Sequence, residues 1–355
     1  MAKLRAAIVG LGGICRGAHM AYYPKSQDVE LVAVCDIRPD RIESFKETYG
    51  YENINGYTDY MELLEKEELD FVDICTPNYL HSTIAVEALN RGINVFCEKP
   101  DAVSVEEALK METAAKNSGK TLMVMRNNRH RKTAKYLKQY IEGGNMGDIY
   151  CGRCGWQRRR GIPGKGGWFT NKEQSGGGPL IDLGVHMIDL SIWLMGNPVP
   201  VAVSGCTFTK FADADDISDS ANSEFGDKVE GGVFDVEDLA MGFIKFDNGA
   251  CLQIEFSWAS NVEEEYNYVE LRGTKAGAEM KKGWVKVYTE KNGSLVDEAP
   301  LVRDAGFEHA ENLKHFVDVI NGKAAPDFVP VQGVNMIKIL EAMYKSAETG
   351  KEVVL

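Results

Sequence analysis

The chain has no apolar run near the roughly 20 residues a membrane-spanning helix needs, so a helical membrane span is not expected. It lacks an excess of basic charge: 53 acidic against 40 basic residues leave a net charge of −13. That balance argues against nucleic acid and anionic membrane as partners. The N-terminus has no signal-peptide apolar core and runs straight into Ala6-Ala-Ile-Val-Gly10, so a cytoplasmic location is expected. There is no internal repeat and no low-complexity linker. The acidic stretch 211–237, with Asp213, Asp215, Asp216, Asp219, Glu224, Asp227 and Glu230, lacks an EF-hand pattern and reads as a solvated loop. The eight cysteines are scattered, mostly in apolar strand-like runs, as reduced and buried thiols are. Cys151 and Cys154 form a CxxC, but on a strand residues three apart point to opposite faces, so no metal is expected.

What the chain does have is length for two domains: 355 residues with 44% hydrophobic and 26% charged, ordinary globular values. Residues 4–10 read as an apolar strand, followed by Gly10-Leu-Gly-Gly-Ile-Cys15, a helix containing Ala18, Met20 and Ala21, and a second strand, Glu30-Leu-Val-Ala-Val-Cys-Asp36. Strand, glycine turn, helix and strand ending in an acid form a dinucleotide-binding unit. Gly10 permits the tight turn, and Gly12 and Gly13 let the backbone approach a pyrophosphate. Ile14 and Cys15 continue that loop, with Cys15 where a third glycine is usual. Asp36 accepts from a ribose hydroxyl and repels a 2′-phosphate, which favours NAD over NADP; Ile37 and Arg38 flank it, and Arg38 is the residue that could tolerate that phosphate.

The alternation continues through strands at 71–75, 94–97 and 121–125, with helices between them, implying a parallel sheet whose ligands bind beyond the C-terminal strand ends. Two more polar turns fall at those ends. One is Cys75-Thr-Pro-Asn78 with His81; the other is Glu98-Lys-Pro100. They are expected to line the same crevice, with Lys99 facing into it and the Lys99–Pro100 bond in a position that suits cis. The NAD-binding domain is set at 1–125 and the second domain at 126–355. The latter begins with a helix near 134–142 and continues with strands at 148–157, 199–210, 239–247, 250–259, 267–273 and 284–289: a largely antiparallel sheet. The glycine-rich residues 158–178 read as a substrate loop.

A helix from Pro179 to about Met195 is apolar nearly all round, yet carries Asp182, His186 and Asp189 at spacings of four and three, which places them on one face. A buried helix keeps such groups when they are paired or line a cavity. Oxidation of a secondary alcohol needs a base near neutral pKa, and histidine fits. The expected roles are His186 as base, Asp182 as its support one turn earlier, and Lys99 as the donor to the developing alkoxide. Asp189 reads as a structural partner. Arg129, Trp168 and His309 are candidates, with His186, for substrate contact.

Taken together, Gly10-Leu-Gly-Gly with Asp36, the Cys75-Thr-Pro-Asn turn with His81, Glu98-Lys-Pro100, the Gly176–Gly178 run before Asp182 and His186, and Val236-Glu-Asp-Leu-Ala240 resemble the Gfo/Idh/MocA group of glucose–fructose oxidoreductases and inositol dehydrogenases over essentially the whole length. The resemblance implies a Rossmann domain followed by an α/β domain with an open sheet. It also implies NAD(P)-dependent chemistry on sugars, inositols and related polyols, a homodimer or homotetramer built through that sheet, and active-site roles for Lys99, Asp182 and His186. The expected activity is oxidation of a secondary hydroxyl of a sugar, glycoside or cyclitol. The alternatives are transient C3 oxidation of a glycoside by tightly held NAD, for its cleavage or a redox-neutral conversion, and a non-catalytic NAD-binding sensor.

Overall fold

The computed structural model describes residues 2–212, 225–304 and 306–355, so part of the acidic stretch, from Asp213 to Glu224, lies outside the described residues. By its contacts the chain divides into two units: 1–127 with 307–334, and 128–306 with 335–355. The first crossing, at 127/128, lies two residues beyond the boundary expected at 125/126, and the chain returns to the first unit over 307–334. The reason is visible in the packing. The helix Glu308–Ile320 brings Phe316 against Phe71 and Phe96 of the first sheet, with ring centroids 5.3 and 5.2 Å apart.

The first unit holds six parallel strands: β1 (Leu4–Val9), β2 (Val29–Cys35), β3 (Asn55–Tyr57), β4 (Phe71–Ile74), β5 (Asn94–Cys97) and β6 (Leu122–Val124). Their order, β3-β2-β1-β4-β5-β6, reverses direction between β1 and β4, where a doubly wound sheet opens its ligand crevice. β4 is wholly buried although it carries Asp73. The helix expected after the glycine turn is only five residues long, Gly13–Gly17, and passes into a 3₁₀ turn, His19–Ala21. Glycines at 12, 13 and 17 disfavour a longer helix, and the break turns His19 into the core.

The second unit is built on nine strands: β7 (Ile149–Gln157), β8 (Pro200–Phe208), β9 (Leu239–Phe246), β10 (Cys251–Ser257), β11 (Tyr266–Gly273), β12 (Gly277–Lys281), β13 (Trp284–Lys291), β14 (Ser294–Glu298) and β15 (Val353–Val354). β7 and β10 pair in parallel, and the remaining pairs are antiparallel. Leu252, Ile254 and Phe256 alternate into the core, as period-2 patterning requires. On the same strands Cys154 is buried and Cys151 half-buried, on opposite faces. Among the described residues no helix is long and apolar enough to cross a membrane.

Candidate active site

In the first unit the parallel strands end at one edge, and that edge gathers the polar turns. Gly10 sits at φ +98°, and a Cβ there would meet the Cys75 backbone at 2.6 Å, so only glycine lets the glycine turn lie against the Cys75–Asn78 turn. Gly12, by contrast, has nothing within 4 Å of a Cβ position, leaving its backbone open. Asp36 follows β2. It accepts the Leu11 N–H at 2.9 Å and the Arg38 N–H at 3.0 Å, with Arg41 at 3.7 Å. The carboxylate is therefore fixed beside the glycine turn. Arg38 pairs with Asp40 at 2.6 Å and Ile37 is exposed. At the end of β4, the buried Thr76 hydroxyl has no partner among the described residues. A fixed acid, an open glycine backbone and an unpartnered buried hydroxyl along one strand edge fit a dinucleotide. Gly10, Gly12, Gly13, Asp36 and Thr76 are the residues that would hold it.

Other residues expected at this edge also take part in the packing and hydrogen bonding of the fold. His81 is buried, and its ring nitrogens face the Pro100 carbonyl at 2.8 Å and the Thr76 carbonyl at 2.9 Å, so it ties two turns together rather than reaching a ligand. Burial holds its pKa below the ordinary histidine value. Cys15 and Cys75 are buried against each other, Ile14 and Pro77 are half-buried, and Asn78 opens a short 3₁₀ turn.

Glu98 is buried as well, and its oxygens are occupied: Oε1 lies 2.8 Å from His19 Nε2, and Oε2 accepts the Lys99 N–H at 3.0 Å. His19 Nδ1 is 2.8 Å from Asp73 Oδ2, which also accepts from the Tyr23 hydroxyl at 2.8 Å. Ligand atoms of His19, Asp73 and Cys75 lie within 4.8 Å of one another, but both imidazole nitrogens are already bonded to carboxylates. Burial alone would raise the Glu98 pKa; the His19 hydrogen bond and charge overcome it and bring it to about 2. Lys99 is half-buried at the end of this turn, and the Lys99–Pro100 bond is cis. His309, on the helix Glu308–Ile320, is half-buried in the same unit, and burial lowers its pKa.

In the second unit the long titratable helix is not one regular element. Leu180–Gly184 is a π-helical turn and Val185–Leu194 an α-helix. π turns recur at functional sites because they reset the register of the side chains around them. Here Asp182 and His186 are half-buried, whereas Asp189 is buried, so the three do not share one environment. Asp182 Oδ2 accepts the Trp258 indole N–H at 2.9 Å. His186 lies against Trp156, ring centroids 5.9 Å apart. Arg158 lies 5.5 Å over the Trp156 ring, donates to the Gly161 carbonyl, and feels the charge of Asp182.

Asp189 is held by Arg129 through two hydrogen bonds, 2.8 and 2.6 Å, both side chains being buried. Arg129, expected to touch substrate, is thus a buried support of the helix. Trp168 stacks on Phe169 at 3.8 Å. The glycines before the helix, part of the stretch expected as a substrate loop, are close-approach positions: a Cβ on Gly177 would run into the Tyr344 hydroxyl and one on Gly178 into the Glu237 carbonyl. Glu237 is buried and accepts the Gly178 and Leu180 N–H groups at 3.0 and 3.1 Å and the Tyr344 hydroxyl at 3.0 Å. Glu237, Trp258, Arg158, His19 and Asp73 were not singled out from sequence. Two of them carried a legible signal: Glu237 lies in the Val236–Ala240 motif, and Asp73 is a charge inside a four-residue apolar strand.

Comparison with known proteins agrees with both units. Residues 4–126 match the profile of an oxidoreductase family with an NAD-binding Rossmann fold, and residues 138–355 match that family's C-terminal α/β domain. The chain is 34% identical over 353 residues to the D-glucoside 3-dehydrogenase of Escherichia coli K12, covering 99% of this chain and 97% of that protein. It is 28% identical to the levoglucosan dehydrogenase of Pseudarthrobacter phenanthrenivorans over 77% of this chain and 72% of that one. A solved enzyme of gentamicin A biosynthesis, in complex with NAD, superposes with a TM-score of 0.80 at 26% identity, over 100% of this chain and 97% of that chain. The chain belongs to this Gfo/Idh/MocA family and is an NAD-dependent oxidoreductase.

Proposed function

We propose that this enzyme oxidises a secondary ring hydroxyl of a sugar or glycoside, with C3 of a D-glucoside as the preferred position. The proposal on chemistry rests on one observation: within Leu180–Ser191, otherwise buried, Asp182 and His186 are half-buried, with Asp182 oriented by the Trp258 indole N–H. The substrate class rests on the likeness, over nearly the full length, to a glucoside 3-dehydrogenase.

Bound NAD supplies the hydride acceptor. His186 takes the hydroxyl proton, a role that suits an imidazole because its unperturbed pKa lies near neutrality. Asp182, its carboxylate held by Trp258, stabilises the charge that His186 gains. Lys99 donates a hydrogen bond to the oxygen as alkoxide character develops. Asp36 selects a free ribose hydroxyl.

The test is NADH formation across methyl D-glucosides, free aldoses, levoglucosan and inositols, with the product trapped by borodeuteride so that the label marks the oxidised carbon. Label at C3 of a glucoside is expected; label elsewhere, or aglycone release without net NADH, overturns the assignment. His186→Ala and Lys99→Met are each expected to lower kcat by about 10²–10⁴-fold while NAD binding persists. Near-normal turnover in either removes that residue from the mechanism.

We also propose that the outer sheet face takes a second copy of the chain, because Phe243, Trp284 and Tyr288 are exposed there. Light scattering on wild type and on Phe243→Lys/Tyr288→Lys checks this. A dimer or larger that becomes a monomer is expected, and a wild-type monomer excludes it.

A further inference from the structure

We propose that His19, as a buried imidazolium, is the positioning residue for Lys99, acting through Glu98; this rests on the role given to Lys99 above. The geometry is specific. Both His19 nitrogens face carboxylate oxygens, Asp73 Oδ2 at 2.8 Å and Glu98 Oε1 at 2.8 Å. An ionised carboxylate only accepts, so both ring nitrogens must donate, and only the doubly protonated ring can do that. The Glu98 oxygen not bonded to His19 accepts the Lys99 backbone N–H at 3.0 Å. A chain of four groups, Asp73–His19–Glu98–Lys99, therefore runs from the middle of β4 to the turn after β5.

The remaining groups facing the imidazole agree with a positive ring. Tyr23 donates to Asp73 and so is not competing for the ring, Cys75 Sγ lies 3.4 Å from Nδ1, and His309, whose charge would repel that of His19, is kept toward its neutral form by burial. Burial opposes the charge on His19, and the two carboxylates outweigh it, so its pKa is raised well above the ordinary value. A buried charge network of this kind is costly unless every member is satisfied. Lying wholly beneath the polar turns, this one contributes its order to them. The physical consequence is a Lys99 whose backbone is tied to a fixed anion, so the ammonium starts from one place.

The test is a double-mutant cycle on the best substrate of the panel, at saturating NAD. His19→Gln is expected to lower kcat about 10–100-fold with the sugar KM within about twofold, and to change kcat less than about twofold when Lys99 is already Met, because residues acting as a unit are non-additive. Equal losses in both backgrounds, or an unchanged kcat, overturn the proposal. If His19→Gln does not fold, Glu98→Gln replaces it in the same cycle with the same expectations. ¹⁵N-histidine spectra of the purified protein supply a readout independent of activity: His19 doubly protonated at neutral pH is expected, and a neutral tautomer overturns the proposal. Should Lys99→Met alone keep normal turnover, the Lys99 reading falls and this one with it. Should Lys99→Met lose turnover while the two losses simply multiply, only the role of His19 falls.

Discussion

Two buried glutamates, one in each unit, anchor the two elements that carry the proposed chemistry, and they are held in opposite ways. Glu98 meets a cation, His19, and its pKa drops to about 2. Glu237 meets only neutral donors, two backbone N–H groups and the Tyr344 hydroxyl, and burial raises its pKa above the ordinary value. Desolvation pushes both upward. Neutral dipoles answer it in part, and a formal positive charge reverses it. The difference shows how each unit secures a functional segment: the first with an ion pair beneath a turn, the second with a hydrogen-bonded cap beneath a helix start.

The largest effect that separates the two comes from deletion. Glu98→Ala leaves a buried imidazolium facing Asp73 alone, and truncating one partner of a buried charge pair costs about 3–5 kcal/mol. Denaturant unfolding is expected to show that loss, and a drop below about 1 kcal/mol, within ordinary surface noise, would sink the ion-pair description. Asp189→Ala is expected in the same range, because it removes the carboxylate that takes two hydrogen bonds from the buried Arg129.

Glu237→Ala removes no cation's partner but strands three donors, at about 1–3 kcal/mol for each group left unsatisfied. Water entering the space vacated by the side chain lessens that sum, so a total below that of Glu98→Ala is expected. Kinetics would add a second reading. Because Glu237 caps the turn bearing Asp182, kcat is expected to fall with little change in NAD affinity. An altered NAD affinity with an intact kcat would break the assignment of Glu237 to the second unit's chemistry.

The smallest effect, and the sharpest discriminator, is the pH dependence. Glu98 has a folded pKa of about 2, below its ordinary 4.5, so its contribution is fully present above 4.5 and is lost as pH falls toward 2. Glu237 has a raised folded pKa, so relative stability is gained as pH falls through that value toward 4.5. His19, with a raised pKa, contributes fully below 6.5 and loses that contribution as pH rises through its folded value. The difference in Tm between wild type and Glu98→Gln should therefore shrink on acidification, whereas that for Glu237→Gln should move the other way. Parallel curves would show that the two carboxylates are held alike.

Much of this molecule was legible in the residues. The glycine turn with Asp36, the strand ends at Cys75 and Glu98, and the alternation of Leu252, Ile254 and Phe256 each follow from local periodicity or turn chemistry, which act within a few residues. The helix carrying Asp182 was legible as a helix but not as a π turn followed by an α-helix, and the groups that hold its start, Glu237 with Tyr344, lie more than 50 residues away. Arg129 read as a candidate for substrate contact because nothing near it in sequence carries its partner, Asp189. His19 read as one residue of a helix, and the helix ended before reaching it.

The sequence by itself determined the class of each unit, the NAD-binding edge and the residues available for proton chemistry, because patterning and glycine placement are local properties of the chain. The tertiary structure alone decided which charges are buried together, and so which carboxylate is stabilised as an anion and which is not. That depends on contacts between distant segments, Glu98 with His19 and Glu237 with Tyr344, whose electrostatic outcome is set by burial and by the sign of the partner's charge.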